Sequence, residues 1–89
     1  MKKVLERKMY KLAALYPRAW FKYGEEFATG YENSIWTGEG SELFNGESIF
    51  DYYGYRDTMG VHPKFVAALD KLDLHAEFHD GGTVFIYPN

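Results

Sequence analysis

Two histidines and a glutamate near the C-terminus have a spacing that could bind a metal ion. His75, Glu77 and His79 alternate in a run of strand-forming residues, so a strand would place all three side chains on one face. Residues four apart on a strand are separated by roughly 13 Å, so the two histidines cannot bind one ion. His75 and Glu77 alone would need further ligands, since protein metal sites use three or four converging groups. We therefore interpret this face as a polar, solvated surface and expect neither a metal nor another cofactor.

Other familiar catalytic patterns also fail on their geometry. Glu25 and Glu26 are adjacent in a predicted turn, where their carboxylates would point apart and stay solvated, unlike a general acid and base held in a cleft. The segment Asp80–Gly82 resembles a phosphate loop, but no helix and no lysine follow it. His62 precedes Pro63 and suits a helix cap. We therefore predict a protein without enzymatic activity and assign no catalytic residue.

The charges are distributed unevenly along the chain. Residues 1–22 hold seven basic residues and one acid (+6), residues 23–55 hold seven acids and no Lys, Arg or His (−7), and residues 56–89 hold three basic residues and five acids (−2), which together give the net charge of −3. Aromatic residues alternate with the seven acids. This composition is typical of an interface in which aromatic anchors supply affinity and carboxylates steer a basic partner.

We predict that this acidic, aromatic segment binds a basic protein surface of the kind found on proteins that handle DNA or RNA. The predicted contact residues are Glu25, Glu26, Glu32, Trp36, Glu39, Glu42, Glu47, Asp51, Tyr52 and Tyr55. A second interpretation is that some aromatic residues belong to the core and the acids only keep a small domain soluble. Direct binding of nucleic acid is disfavoured, because phosphates supply most of that affinity and an acidic surface repels them.

The 89 residues predict a single domain, 1–89, whose helices follow from the apolar spacing. Leu5, Met9, Leu12 and Tyr16 form one helical stripe, and the following proline ends that helix at or before Tyr16. A second helix is predicted in "GVHPKFVAALDKLDL", with its proline at the first helical position. A short helix is predicted from about Glu47 to Tyr53, after a turn at residues 45–46.

Strands are predicted in "RAWFKYG", "NSIWTG" and "HAEFHDGGTVFIYP", the last being a hairpin around Asp80–Gly82. A weak repeat aligns "AALYPRAWFKYG" with "AALDKLDLHAEFHDG", which suggests a helix–strand–strand unit used twice. The predicted fold is α+β, with an antiparallel sheet of about four strands and helices packed on one face. The residues expected to face the helices are Ala19, Phe21, Ile35, Ala76, Phe78, Val84 and Ile86.

The other face of this sheet would be rich in aromatic and polar side chains. It is covered either by the loop around residues 40–55 or by a bound molecule. If a bound molecule covers it, the protein would be a small-ligand or nucleotide-binding module. An uncovered sheet face or a free edge strand would instead favour a homodimer. The expected ligand contacts are Trp20, Trp36, Phe85 and Tyr87, beside Lys22, His75, Glu77 and His79 on the same face.

The sequence predicts a cytoplasmic protein. Charged residues interrupt the N-terminal apolar run, so it does not read as a signal peptide, and no stretch approaches the roughly 20 apolar residues of a membrane span. The absence of cysteine fits a reducing compartment.

From about Trp36 onward the chain resembles small accessory proteins of tailed bacteriophages. The resemblance lies in "SIWTGEG", "FDYY" and "GVHPKFVAALDKLDLHAEFHDGGTVFIYP", which cover roughly the last sixty residues. It brings no catalytic residues with it. The resemblance implies a phage gene product in a bacterial host cytoplasm, where small acidic phage proteins often inhibit restriction, CRISPR or recombination enzymes.

Overall fold

The computed structural model describes residues 1–43 and 46–89. The turn predicted at residues 45–46 therefore lies partly outside the described residues, because Asn45 is not among them. The described residues form three α-helices, four strands and one 3₁₀ turn at Arg56–Thr58. All neighbouring strands are antiparallel and the sheet order is β1-β2-β4-β3. The elements are α1 (Lys3–Leu15), β1 (Lys22–Tyr23), α2 (Gly24–Phe27), β2 (Ile35–Gly38), α3 (Pro63–Lys71), β3 (Leu74–Asp80) and β4 (Thr83–Pro88).

The two longer helices match their sequence signals. Helix α1 buries its predicted stripe and ends at Leu15, and the N–H of Tyr16 still donates to the carbonyl of Leu12 before Pro17 stops the helix. Helix α3 begins at Pro63, where a missing N–H costs nothing. His62 caps it, since its Nδ1 accepts from the N–H of Lys64 at 3.1 Å. These predictions are confirmed.

The C-terminal hairpin is also confirmed. The carboxylate of Asp80 accepts the N–H of Gly82 at 2.9 Å, and this hydrogen bond is the main cause that lowers the pKa of Asp80. The pairing between β3 and β4 shifts register between Phe78 and Asp80, so the tip of the hairpin is irregular.

One hydrophobic core lies between the sheet and the pair α1 and α3. Helix residues such as Leu12 and Phe65 pack there against Ile35, Leu74 and Ile86 of the sheet, all of them fully buried. Of the residues predicted to face the helices, Ile35 and Ile86 belong to this core, Val84 is fully buried, and the others are partly buried and pack against it. The predicted α+β fold, with a four-stranded antiparallel sheet, is therefore confirmed. In the first of the two predicted helix–strand–strand units, however, α2 lies between the two strands.

The predicted helix from Glu47 to Tyr53 is wrong. This stretch is irregular, with isolated bridges pairing Glu42 with Ser48 and Phe50 with Val61. The carboxylate of Asp51 accepts the N–H groups of the two residues that begin the next turn, which gives the backbone an alternative to helical hydrogen bonds.

The first strand is shorter than predicted, and its connection to β2 is more structured. Only Lys22 and Tyr23 pair with β2, and the chain then enters α2 where a turn was expected. The carboxylate of Glu26 accepts the N–H of Tyr23 at 3.0 Å and so caps this helix. Among the described residues, no helix is both long enough and apolar enough to cross a membrane.

Candidate functional site

The sheet face opposite α1 and α3 is covered by two aromatic side chains from the β1–β2 connection. Phe27, at the end of α2, places its ring 5.0 Å from the ring of Phe85 and 5.3 Å from that of Trp36. Tyr31 stacks on Phe85 with ring centres 4.5 Å apart and planes 18° apart. Phe85 is consequently only 1% exposed. A second, smaller hydrophobic layer therefore closes this face.

The two tryptophans lie at the margin of this layer and are half-buried. Their rings meet edge to face at 5.4 Å, and the Nζ atom of Lys22 lies 5.2 Å from the ring centre of Trp36 and 5.6 Å from that of Trp20. The indole N–H of Trp20 donates to the carbonyl of Glu39 at 3.1 Å. Both rings thus make contacts within the protein, and the indole N–H of Trp20 is hydrogen-bonded.

These contacts bear on the predicted ligand-binding set. A ligand would have to displace Phe27 and Tyr31 to reach Phe85, while Tyr87 stacks on His75 at 5.7 Å. The predicted cover from the loop around residues 40–55 is wrong, because that loop sends Leu43 and Ile49 into the core on the helix side. Sequence patterns did not reveal that Phe27 and Tyr31 cover this sheet face, because both residues lie in a segment that was predicted to be a turn.

The seven acids of residues 23–55 fall into two groups. The first group lies in the β1–β2 connection, where each carboxylate has a local partner. Glu25 lies 2.6 Å from the amino group of Met1, Glu26 caps α2, and Glu32 accepts the N–H of Gly30 at 3.1 Å. These hydrogen bonds are the main causes that lower the pKa values of Glu25 and Glu32. This group stabilises local structure.

Two of the four acids of the second group line a groove of about 310 Å³ between the 39–53 segment and the turn that joins β3 to β4. Glu39 and Asp51 line it together with Tyr52, Tyr53 and the glycines of the turn. None of the described residues that line it is basic. We call this feature the acidic groove.

Three further predicted residues lie beside the acidic groove. Glu47 meets Nε2 of His62 at 2.8 Å, and Glu42 lies 3.7 Å from the guanidinium of Arg18 in an exposed ion pair. The hydroxyl of Tyr55 donates to the carbonyl of Ser48 at 2.7 Å. Burial is the main cause that raises the pKa of Tyr55, and the charges of Glu47 and Asp51 raise it further.

The tyrosines at the acidic groove are exposed. Tyr53 is 77% exposed and Tyr52 is 57% exposed, although the ring of Tyr52 rests 5.3 Å from that of Phe78. Exposed rings that are braced from one side lose little conformational freedom when a partner covers them. The groove therefore combines two carboxylates with two exposed aromatic side chains that a partner could contact.

The histidines of β3 have separate surroundings. His75 lies 3.1 Å from Glu77 and 2.7 Å from the side chain of Asn89, whereas His79 packs on the rings of Phe27 and Phe85. Within residues 1–43 and 46–89, no group of three or more His, Cys, Asp or Glu side chains could hold a metal ion.

Of the predicted contact residues, the structure thus brings Glu39, Glu42, Glu47, Asp51, Tyr52 and Tyr55 to one region and places the others elsewhere. Trp36 belongs to the aromatic layer on the other face of the sheet. Comparison with protein-family models, with curated proteins and with solved structures found no match to this chain. The function of this chain must therefore be inferred from the geometry described above.

Proposed function

We propose that this chain is a non-enzymatic adaptor or inhibitor that binds a basic protein surface through the acidic groove. The observation that carries the proposal is the pairing of exposed aromatic rings, Tyr52 and Tyr53, with the carboxylates of Glu39 and Asp51 in a groove whose described lining holds no basic residue. The other large aromatic clusters of the protein are packed, either in the core or under Phe27.

The physical roles of the two residue types are different. Tyrosine rings bury large areas and act as anchors at the centre of an interface, where partly apolar arginine and lysine side chains can pack on them. The carboxylates attract a basic partner from a distance and repel acidic ones, so they increase the association rate and the specificity. Binding should therefore weaken as salt is added, because exposed charges are screened over about 10 Å at 0.1 M salt.

The proposed partner is a protein that handles DNA or RNA, since such proteins present the most extended basic surfaces. The resemblance to small phage proteins supports a host or defence enzyme as the target, encountered in a bacterial cytoplasm. Direct nucleic-acid binding is disfavoured, because the groove would repel phosphates.

The alternative function, a small-ligand or nucleotide-binding module, has less support. It requires the sheet face of Trp20, Trp36, Phe85 and Tyr87 to be open, whereas Phe27 and Tyr31 cover the centre of that face. The covered sheet face therefore disfavours this alternative function.

The experiment is an affinity pull-down of the tagged protein from nuclease-treated bacterial lysate at 0.05 M and at 0.5 M salt. We expect a stoichiometric partner at low salt that is lost at high salt. The variant Glu39→Lys/Glu42→Lys/Glu47→Lys, whose sites lie in or beside the acidic groove, should lose it.

The matched control is Glu25→Lys/Glu26→Lys/Glu32→Lys, which makes the same change in charge at the other group of acids. It should retain the partner, provided that circular dichroism shows a folded chain. Loss of the partner by the control alone, or undiminished capture by the groove variant, would contradict the proposal.

A further inference from the structure

Strand β3 forms one edge of the sheet, and its outer backbone groups can be identified from the hydrogen-bond pattern. The N–H of Asn89 donates to the carbonyl of Asp73 at 3.0 Å, so Asp73 and Asn89 form a hydrogen-bonded pair next to the Leu74–Pro88 pair that begins the ladder. Hydrogen-bonded and non-bonded pairs alternate along an antiparallel ladder. The N–H and C=O groups of Leu74, Ala76 and Phe78 must therefore point away from β4, toward the edge.

The other side of β4 agrees with this assignment. The N–H of Glu39 donates to the carbonyl of Gly82 at 2.9 Å, so the even-numbered residues of β4 bond to β2 and the odd-numbered residues bond to β3. Within the described part of the chain, no hydrogen bond reaches the outer backbone groups of β3.

The space beside this edge is open. A groove of about 500 Å³ separates residues 76–78 from Tyr52, Arg56 and Met59, and a second groove of about 290 Å³ continues past Met59 toward Leu74. Met59 is 85% exposed, an unusual position for a large apolar side chain. A free edge that is regular over residues 74–78 is a template for pairing with another strand.

The regular part of this edge is five residues long and has Ala76 at its centre. Asp73 precedes it with a left-handed backbone (φ 58°), and the register shift after Phe78 ends it. If a second copy pairs antiparallel to it over the same five residues, Ala76 faces Ala76 and Leu74 faces Phe78 on the side that packs on the helices.

In this register the opposite face pairs a histidine of one copy with a carboxylate of the other. His75 of each copy faces Glu77 of the other, and the two side chains already lie 3.1 Å apart within one chain. Moving the centre by one residue places His75 opposite His75 or Glu77 opposite Glu77, and like charges directly opposite each other are destabilising. Of these three registers, only the one centred on Ala76 avoids both.

We propose that two copies of this chain associate through β3 in that register and form one continuous eight-stranded sheet around a two-fold axis at Ala76. The arrangement is closed, because each copy uses the same edge. It leaves exposed only the two-residue edge strand β1, and it provides apolar neighbours for Met59. This inference does not depend on the proposed function, which concerns the acidic groove.

Cysteine cross-linking can test the register, because the chain contains no cysteine of its own. Hydrogen-bonded partners on antiparallel strands have Cα atoms about 5.5 Å apart, within the range of about 4.4–6.8 Å that a disulfide requires. Oxidised Ala76→Cys should form a covalent dimer. A mixture of His75→Cys and Glu77→Cys should cross-link as a heterodimer, whereas each variant alone should not.

The control is Ala67→Cys, at an exposed site on α3, which should stay monomeric under the same oxidation. Equal cross-linking of this control, or homodimers from His75→Cys alone, would overturn the register.

Charge exchange provides an independent readout by sedimentation equilibrium. In the proposed dimer, Glu77→Lys places a cation opposite His75 of the other copy. This variant should therefore raise the dissociation constant of the dimer at least about tenfold. The double variant His75→Glu/Glu77→Lys restores opposite charges and should bring the constant back to within about threefold of the wild-type value. A wild-type chain that sediments as a monomer at millimolar concentration, or a double variant no tighter than Glu77→Lys, would overturn the proposal.

Discussion

Replacing Phe27 by alanine should strongly destabilise the protein, although Phe27 lies outside the core between the sheet and the long helices. Its ring meets those of Phe85, Trp36 and His79 at 5.0, 5.3 and 5.4 Å. Phe→Ala substitutions at fully buried sites cost about 3–5 kcal/mol. Phe27 is half-buried, so we expect a loss of about 2–3 kcal/mol in the free energy of unfolding.

In a domain of this size, each kcal/mol lowers the melting temperature by about 4–8 °C. Phe27→Ala should therefore melt at least about 8 °C below the wild type when unfolding is followed by far-ultraviolet circular dichroism. Tryptophan emission should shift to the red at the same time, because Trp36 loses its cover.

Two control variants make this result interpretable. Tyr53→Ala removes a ring that is 77% exposed and should change the free energy of unfolding by no more than about 0.5 kcal/mol. Phe27→Leu keeps apolar volume over Phe85 and should cost less than Phe27→Ala. If Phe27→Ala melts within 2 °C of the wild type, the aromatic layer does not stabilise the fold, and the sheet face would again be a candidate ligand surface.

Two further predictions concern the hairpin between β3 and β4. Gly38→Ala should destabilise the protein by at least about 2 kcal/mol, because the new Cβ would overlap the carbonyl oxygen of Gly82, whereas Gly81→Ala meets open space and should be nearly neutral in urea unfolding. Asp80 has a lowered pKa in the folded state, so its stabilising effect is present above its unfolded pKa of about 3.9 and is lost as the pH falls through the lower folded value. The stability difference between wild type and Asp80→Asn should therefore be larger at pH 6 than at pH 2.5. An equal difference at both pH values would exclude the ionised carboxylate as its cause.

Several elements could be predicted from the sequence because their signals are local. The spacing of Leu5, Met9 and Leu12 matches the period of a helix, Pro63 suits only the start of one, and Asp80–Gly82 provides a tight turn between two runs of strand formers. These local preferences agree with the tertiary fold, so the α+β class followed from them.

The candidate site was predicted only in part. Contiguous acids suggested one surface, but Glu25 pairs with the amino group of Met1, and Glu26 and Glu32 accept local backbone N–H groups. In contrast, Glu39 and Asp51 line the acidic groove. Residues that are close in sequence need not share a surface, because the backbone between them can change direction. Here strand β2 runs between the two groups and separates them.

The sequence by itself determined helices α1 and α3, the hairpin, the inward face of the sheet and the unequal distribution of charge. The tertiary structure alone decided which surfaces are covered. Phe27 and Tyr31 close one face of the sheet, the 39–53 segment leaves Tyr52 and Tyr53 exposed, and β3 remains an open edge. The physical reason is that helical and strand periods arise from interactions between residues a few positions apart, whereas coverage depends on where irregular connections return to the sheet, which long-range packing decides.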